Sequence, residues 1–209
     1  MIRKNKELLK SLYNCGIIEK KHCILRSGKH SDEYIKKTKI TLYPSLFPYI
    51  IHYLHDEITF QYKREEYDII TGPAVAGICF AAPVAFLLRK PFIFPEKVSK
   101  IVSDDINNLI TVEIKKSFME FREEYQNSLK RSKVIIIEDI ITTGGSVEKT
   151  AYSIFKYGGI PIAVFCLWNR DPNIQYIVLK NRINYKIPIY SLINEPINSW
   201  NANECYCNK

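Results

Sequence analysis

Residues Lys133 to Thr150 read Lys-Val-Ile-Ile-Ile-Glu-Asp-Ile-Ile-Thr-Thr-Gly-Gly-Ser-Val-Glu-Lys-Thr, and this order decides the fold. Val134 to Ile137 is a short β-branched run, as expected of a strand buried on both faces. Glu138 and Asp139 fall where that strand should end. Thr142, Thr143, Gly144, Gly145 and Ser146 follow as a loop rich in hydroxyls and glycine, and Val147 to Tyr157 can continue as a helix. A strand, such a loop and a helix start together make an anion cradle, because loop N–H groups and the helix N-terminus point at one place. The acidic pair just before it calls for a group rich in hydroxyls. A ribose carrying a phosphate satisfies both halves.

A second unit of the same logic lies upstream. Tyr67 to Thr71 reads as a strand, Gly72-Pro73-Ala74-Val75-Ala76-Gly77 as a loop of small residues that lets backbone approach a ligand, and Ile78 to Leu88 as a buried helix. Either loop alone could be a tight turn. Two in one chain favour a ligand, since ligands in α/β sheets gather at the carboxyl ends of strands. Pro91 to Pro95, Ile162 to Trp168 and Ile189 to Ile193 add strands, and Asn5 to Cys15 and Pro44 to Tyr62 add helices. Strands alternating with helices predict a mostly parallel central α/β sheet flanked by helices.

Three stretches fit that frame less directly. Leu25 to Tyr34 holds Ser27-Gly28-Lys29-His30, a turn between two short strands, whose Arg26, Lys29 and His30 read from spacing alone as a solvated hairpin tip. From Ile101 to Gln126 the pattern breaks down, and a β-hairpin arm or a long mobile loop both fit; connections of this length often serve as lids. The tail, Asn194 to Lys209, is polar apart from Trp200 and Tyr206.

The net charge of +8 accompanies abundant Lys, Asn, Ile and Tyr, and no basic run with interleaved aromatics stands out, so nucleic acid is not an expected partner. No apolar run approaches the ~20 residues of a membrane span. Met1 to Lys10 lacks the apolar centre of a secretory signal, which makes a cytoplasmic protein the expectation. Of the six cysteines only Cys205 and Cys207 are close, and a Cys-x-Cys without a second pair is weak evidence for zinc.

Val134 to Ser146, with its apolar strand, acidic pair and Thr-Thr-Gly-Gly-Ser, resembles the phosphoribosyl-diphosphate (PRPP) signature of type I phosphoribosyltransferases. Leu25 to Ser31, Gly72 to Gly77, Phe94 to Lys97 and Asn169-Arg170 narrow the likeness to orotate phosphoribosyltransferases; Trp200 to Cys207 is similar to the Cys-bearing tail of one bacterial branch. The resemblance spans about Leu8 to the end. It implies a Rossmann-like phosphoribosyltransferase domain over 1–209, with a small hood from about 1–40 and 185–209 and a long loop or arm at about 97–126.

The implied reaction is transfer of the phosphoribosyl group from PRPP to orotate, in pyrimidine biosynthesis, with Mg2+ and in a homodimer. PRPP would be held by Glu138, Asp139, Ile140, Ile141, Thr142, Thr143, Gly144, Gly145 and Ser146, with the hydroxyls of Thr143 and Ser146 on the 5′-phosphate. The diphosphate would sit on Gly72 to Gly77, with Lys97 and Lys100 acting from a closing lid and Arg122 closing the loop. Thr142, Arg170, Arg26 and Tyr34 would meet orotate. Magnesium would lean on substrate and water, without a dedicated protein cluster. The sequence departs from the pattern in its longer 100–119 segment, in Asn169 standing where the family has Asp, and in its closer cysteine spacing. The alternatives are a purine phosphoribosyltransferase, which has no carboxylate for Arg170 to pair, and a PRPP-binding regulator without catalysis.

Overall fold

The structure, a computed structural model, describes residues 6–25, 28–106, 110–179, 184–205 and 207, with backbone alone for 100–106 and 110–116. In chain order the elements are α1 (Lys6–Asn14), β1 (Ile18–Ile24), β2 (His30–Ile35), α2 (Phe47–Gln61), β3 (Ile69–Thr71), α3 (Ala76–Leu88), β4 (Phe92–Ile93), β5 (Pro95–Ile106), β6 (Ile110–Phe121), α4 (Glu123–Leu129), β7 (Lys133–Ile141), α5 (Gly145–Lys156), β8 (Ile160–Asn169), β9 (Tyr176–Leu179), β10 (Tyr185–Asn194) and β11 (Ser199–Trp200). Short 3-10 turns cover Lys37–Leu42, Arg64–Glu66 and Ala202–Glu204.

The central sheet has the order β4-β3-β7-β8-β10-β9. All its pairs are parallel except β9 with β10. The strand after β3 lies to one side of it, and the strand after β7 and α5 lies to the other. The direction of winding therefore reverses between β3 and β7, and the loops leaving those two strands open a crevice at their carboxyl ends. Both acidic residues and both glycine loops stand at that crevice.

The alternation of β7 explains the two-sided core. Ile135 and Ile137 enter one apolar cluster with Leu54, Phe80 and Leu167, under α2 and α3. Val134 and Ile136 enter the other with Val147, Ala151 and Ile154 of α5. The Val134–Ile137 run reads as buried on both faces for this reason, and each of the four is fully buried. The strand runs on past the acidic pair to Ile141, because Ile140 and Ile141 keep the ladder with β8. Glu138 and Asp139 thus lie inside the strand and not beyond its end.

Two further boundaries differ from expectation. Residues 185–194 form β10 in the central sheet, so the C-terminal part of the hood begins after them; Ile187, Ile189, Ser191 and Ile193 alternate along the strand and are all buried. The hood sheet is β1-β2-β11, with α1 packed beside it. The 95–121 stretch is a hairpin ribbon, β5 paired with β6 from Pro95↔Phe121 to Ile106↔Ile110. Of the two readings left open, the hairpin arm is the observed one. Its β6 strand lies along α5, where Lys149 Nζ donates to Ser117 Oγ at 2.6 Å and Lys156 Nζ to Glu120 Oε1 at 2.5 Å. Among the described residues no helix is long and apolar enough to cross a membrane.

Candidate active site

Glu138 and Asp139 are both buried at the crevice. Successive side chains of a strand face opposite ways, and the two carboxylates accordingly find different partners. Glu138 turns towards α5: its Oε2 accepts a hydrogen bond from Ser146 Oγ at 2.7 Å, and its Oε1 accepts the Asp139 N–H at 3.0 Å. Burial, with the neighbouring Asp139 charge adding to it, pushes the Glu138 carboxyl up to about 8. Asp139 turns towards the hood. Its Oδ1 accepts the Ile140 N–H at 2.6 Å. Its Oδ2 lies 2.9 Å from Lys37 Nζ, an ion pair without hydrogen-bond alignment, so a buried carboxylate oxygen keeps lone pairs for another ligand.

The phosphate cradle follows at the start of α5. Gly144 is the N-cap residue with φ +74, a left-handed conformation that L side chains rarely adopt, and a Cβ there would meet Ile177 Cδ1 at 2.6 Å. The turn it makes exposes Thr142 and Thr143 and leaves the first N–H groups of a twelve-residue helix without intrahelical acceptors. That is an anion site built from backbone and dipole. Ser146 has a contact that the sequence did not show: its hydroxyl donates to Glu138 and so fixes the carboxyl beside the cradle.

Across the crevice, Gly72 to Gly77 joins β3 to α3 and contains a cis Ala74–Val75 peptide. Gly77 is the point of closest approach. A Cβ there would sit 2.8 Å from Pro73 Cδ, 2.9 Å from the Ile137 carbonyl oxygen and 3.2 Å from Glu138 Oε1. The absence of a side chain lets the start of α3 rest directly on the acidic strand.

Arg170 follows β8, the neighbour of β7, and its N–H donates to the Ile141 carbonyl at 2.9 Å, which ties it to the same edge. The side chain is half-buried, its Nε has no hydrogen-bond partner among the described residues, and burial lowers its pKa. A salt bridge with Asp171 would explain it away, but Asp171 Oδ1 instead accepts from the Asn173 N–H and Nδ2. Asn169 uses both ends of its amide locally: Nδ2 donates to the Ile174 carbonyl at 2.9 Å and Oδ1 accepts the Asp171 N–H at 3.2 Å. It shapes the loop that carries Arg170. Tyr34 on β2 is 44% exposed, so its ring is open to a ligand and is not part of the core.

Lys97 is exposed, the third residue of β5, opposite Met119. It stands near the base of a hydrogen-bonded ribbon, not on a free loop; β-branched residues on both arms, Val98, Ile101 and Val102 on β5 and Ile110, Val112 and Ile114 on β6, favour the ladder. Arg122 does close the base, pairing with Glu96, its Nε donating to Oε1 at 2.6 Å. Arg26 and the side chain of Lys100 lie outside the described residues. Lys37 was not anticipated. It follows β2 in a lysine-rich turn, and only folding brings it to Asp139.

The donor set suits a hard cation. One buried carboxylate oxygen with spare lone pairs, already facing an ammonium group, beside two anion cradles is compatible with Mg2+ that also holds phosphate oxygens and water.

Residues 50–187 match the family described as "Phosphoribosyl transferase domain". A relative from Campylobacter jejuni, named orotate phosphoribosyltransferase, is 35% identical over 163 residues, covering 78% of this chain and 71% of its own. One of the same name from Thermoanaerobacter is 27% identical over 199 residues, covering 95% and 89%. Among solved structures, the orotate phosphoribosyltransferase of Aeropyrum pernix superposes with a TM-score of 0.63 at 19% identity, over 90% of this chain and 93% of that one. At that identity the superposition speaks for the fold.

Proposed function

The chain belongs to the phosphoribosyltransferase family, and on that premise we propose that it is the enzyme that transfers the 5-phosphoribosyl group from PRPP to orotate, giving orotidine 5′-monophosphate and diphosphate. One observation carries the choice of base: a half-buried guanidinium whose Nε has no hydrogen-bond partner among the described residues, just after the strand beside the ribose-phosphate cradle. Orotate is an anion with a planar carboxylate, which the arginine fork can pair in a bidentate way. A neutral purine offers no such partner. The relatives named above carry the same substrate in their names.

In this reading the N–H groups at the start of α5 fix the 5′-phosphate, and Thr142 and Thr143 line its approach. Glu138 and Asp139 take the ribose hydroxyls, and Lys37 must give way to them on Asp139. The orotate ring nitrogen attacks the anomeric carbon as the carbon–oxygen bond to diphosphate breaks, through a transition state with oxocarbenium character. Negative charge beside the sugar favours that state. The Gly72–Gly77 backbone cradles the diphosphate, and Lys97 at the ribbon base takes up its developing charge. Mg2+ bound by the phosphates, water and Asp139 would supply further neutralisation of the leaving group. Tyr34 lies on the hood side, towards the base.

The chain is proposed to work in the cytoplasm as a homodimer. Val75, the N-cap of α3, and Cys79 and Phe86 within it follow one another at i, i+4 and i+11, and all three are exposed; Phe86 is 81% exposed. A helix apolar on its outer face as well as its inner one calls for a cover, and a second copy supplies one.

Purified protein given PRPP and orotate should consume orotate, seen as loss of its ultraviolet absorbance, only when magnesium is present. Turnover of a purine and none of orotate would overturn the assignment.

A further inference from the structure

The hood holds a cluster outside the crevice. His22 lies on β1 and His30 opens β2; Cys205 and Cys207 follow the 3-10 turn at Ala202–Glu204. The tail reaches the hairpin because β11 pairs with β2, Trp200 opposite His30, and because Ser31 Oγ donates to the Asn198 carbonyl at 2.8 Å. Four side chains from three segments converge as a result. His22 Nε2 lies 3.0 Å from His30 Nδ1, Cys205 Sγ 3.3 Å from His22 Nε2, Cys207 Sγ 3.3 Å from His30 Nδ1, and the two sulfurs 3.1 Å apart. All four atoms lie within 4.8 Å of one another.

We infer that His22, His30, Cys205 and Cys207 form a tetrahedral zinc site that fastens the C-terminal tail to the β1–β2 hairpin. Two imidazole nitrogens and two sulfurs are the donor set zinc prefers, and thiolates disfavour magnesium or calcium. Around a tetrahedral zinc, nitrogens at about 2.0–2.1 Å and sulfurs at about 2.3 Å lie roughly 3.3–3.8 Å from each other. The nitrogen–nitrogen edge and the two nitrogen–sulfur edges above reach that geometry with shifts of a few tenths of an ångström, and the two sulfurs must part by roughly 0.7 Å. Four protein ligands leave no open position, so the site is structural and performs no chemistry. The Cys-x-Cys alone lacked a second pair; the hairpin provides it. The site does not depend on the reading of the crevice, since its ligands are all in the hood.

The test uses the full chain, expressed with zinc in the medium and kept reduced. Elemental analysis should find one zinc per chain. Protein stripped by chelator and titrated with cobalt(II) should develop the visible bands of tetrahedral cobalt and a thiolate-to-cobalt charge-transfer band. Cys205→Ser and Cys207→Ser should each weaken or abolish that band, and Cys79→Ser should retain it. If a tail variant fails to fold, the wild-type zinc content and cobalt spectrum still decide. Wild-type protein without stoichiometric zinc and without the cobalt bands overturns the inference. So does a Cys205–Cys207 disulfide found by mass spectrometry in freshly purified protein.

Discussion

Glu138 and Asp139 are neighbours on one strand whose carboxyl groups hold different partners yet stay close enough to interact, and their chemistry follows from that. The folded chain holds the Glu138 proton up to about 8, whereas an ordinary glutamate releases it near 4.5. The stability this group contributes is complete below about 4.5 and is lost as pH rises through about 8. Thermal unfolding of the ligand-free protein should therefore show a midpoint that falls over this window more steeply in wild type than in Glu138→Gln. Parallel curves would mean that Glu138 is not the buried proton holder. Asp139→Asn removes the charge next to the sugar without changing size. It should lower turnover by orders of magnitude while circular dichroism stays native; a near-normal rate would dismiss Asp139 from the mechanism. At this scale the sequence was informative for the crevice. The acidic pair, the glycines and Arg170 sit in runs whose pattern names their neighbours. Lys37 was silent, because its partner on β7 is distant in the chain and a lysine-rich turn looks like any solvated surface.

Elements set how tightly the crevice closes. The start of α3 rests on β7 through Gly77, where a Cβ would meet backbone oxygen and a proline ring that have little room to move. Gly77→Ala should cost about 1–3 kcal/mol as overpacking and push the diphosphate loop off Glu138. Denaturation should show the loss, and PRPP binding should weaken with it; unchanged stability would mean that α3 shifts freely. The ribbon is anchored differently. Lys156 and Tyr157 both bond Glu120, and Lys149 bonds Ser117, so polar contacts hold β6 to α5. Glu120→Ala should make the ribbon more susceptible to limited proteolysis with little change in the global unfolding midpoint. A proteolysis pattern identical to wild type would show that the backbone ladder alone holds it. The sequence left a hairpin arm and a long mobile loop both open here, and gave no sign of where a hairpin would lie. Docking on α5 depends on contacts across long separations.

For the whole molecule, the reversal of winding between β3 and β7 makes one crevice from two loops that the chain keeps far apart. The outer face of α3 is the other global feature. Phe86→Glu should turn a dimer into a folded monomer by light scattering, and a wild-type chain that is monomeric at micromolar concentration would remove the proposed cover. Lys133 to Thr150 determined by itself that a strand, an acidic pair and a glycine-capped helix follow one another, because each step is a local matter of β-branching, φ and spacing. That sufficed for a ribose-phosphate cradle. Only the tertiary structure decided that β7 runs on through its carboxylates, that Ser146 holds Glu138, that Lys37 meets Asp139, and that two histidines meet two cysteines in the hood. The first two depend on how β7 pairs with β8 and how α5 docks beside it, and the last two join segments whose separation in sequence leaves no local trace; all are fixed by the packing of the sheet, the hood and the tail.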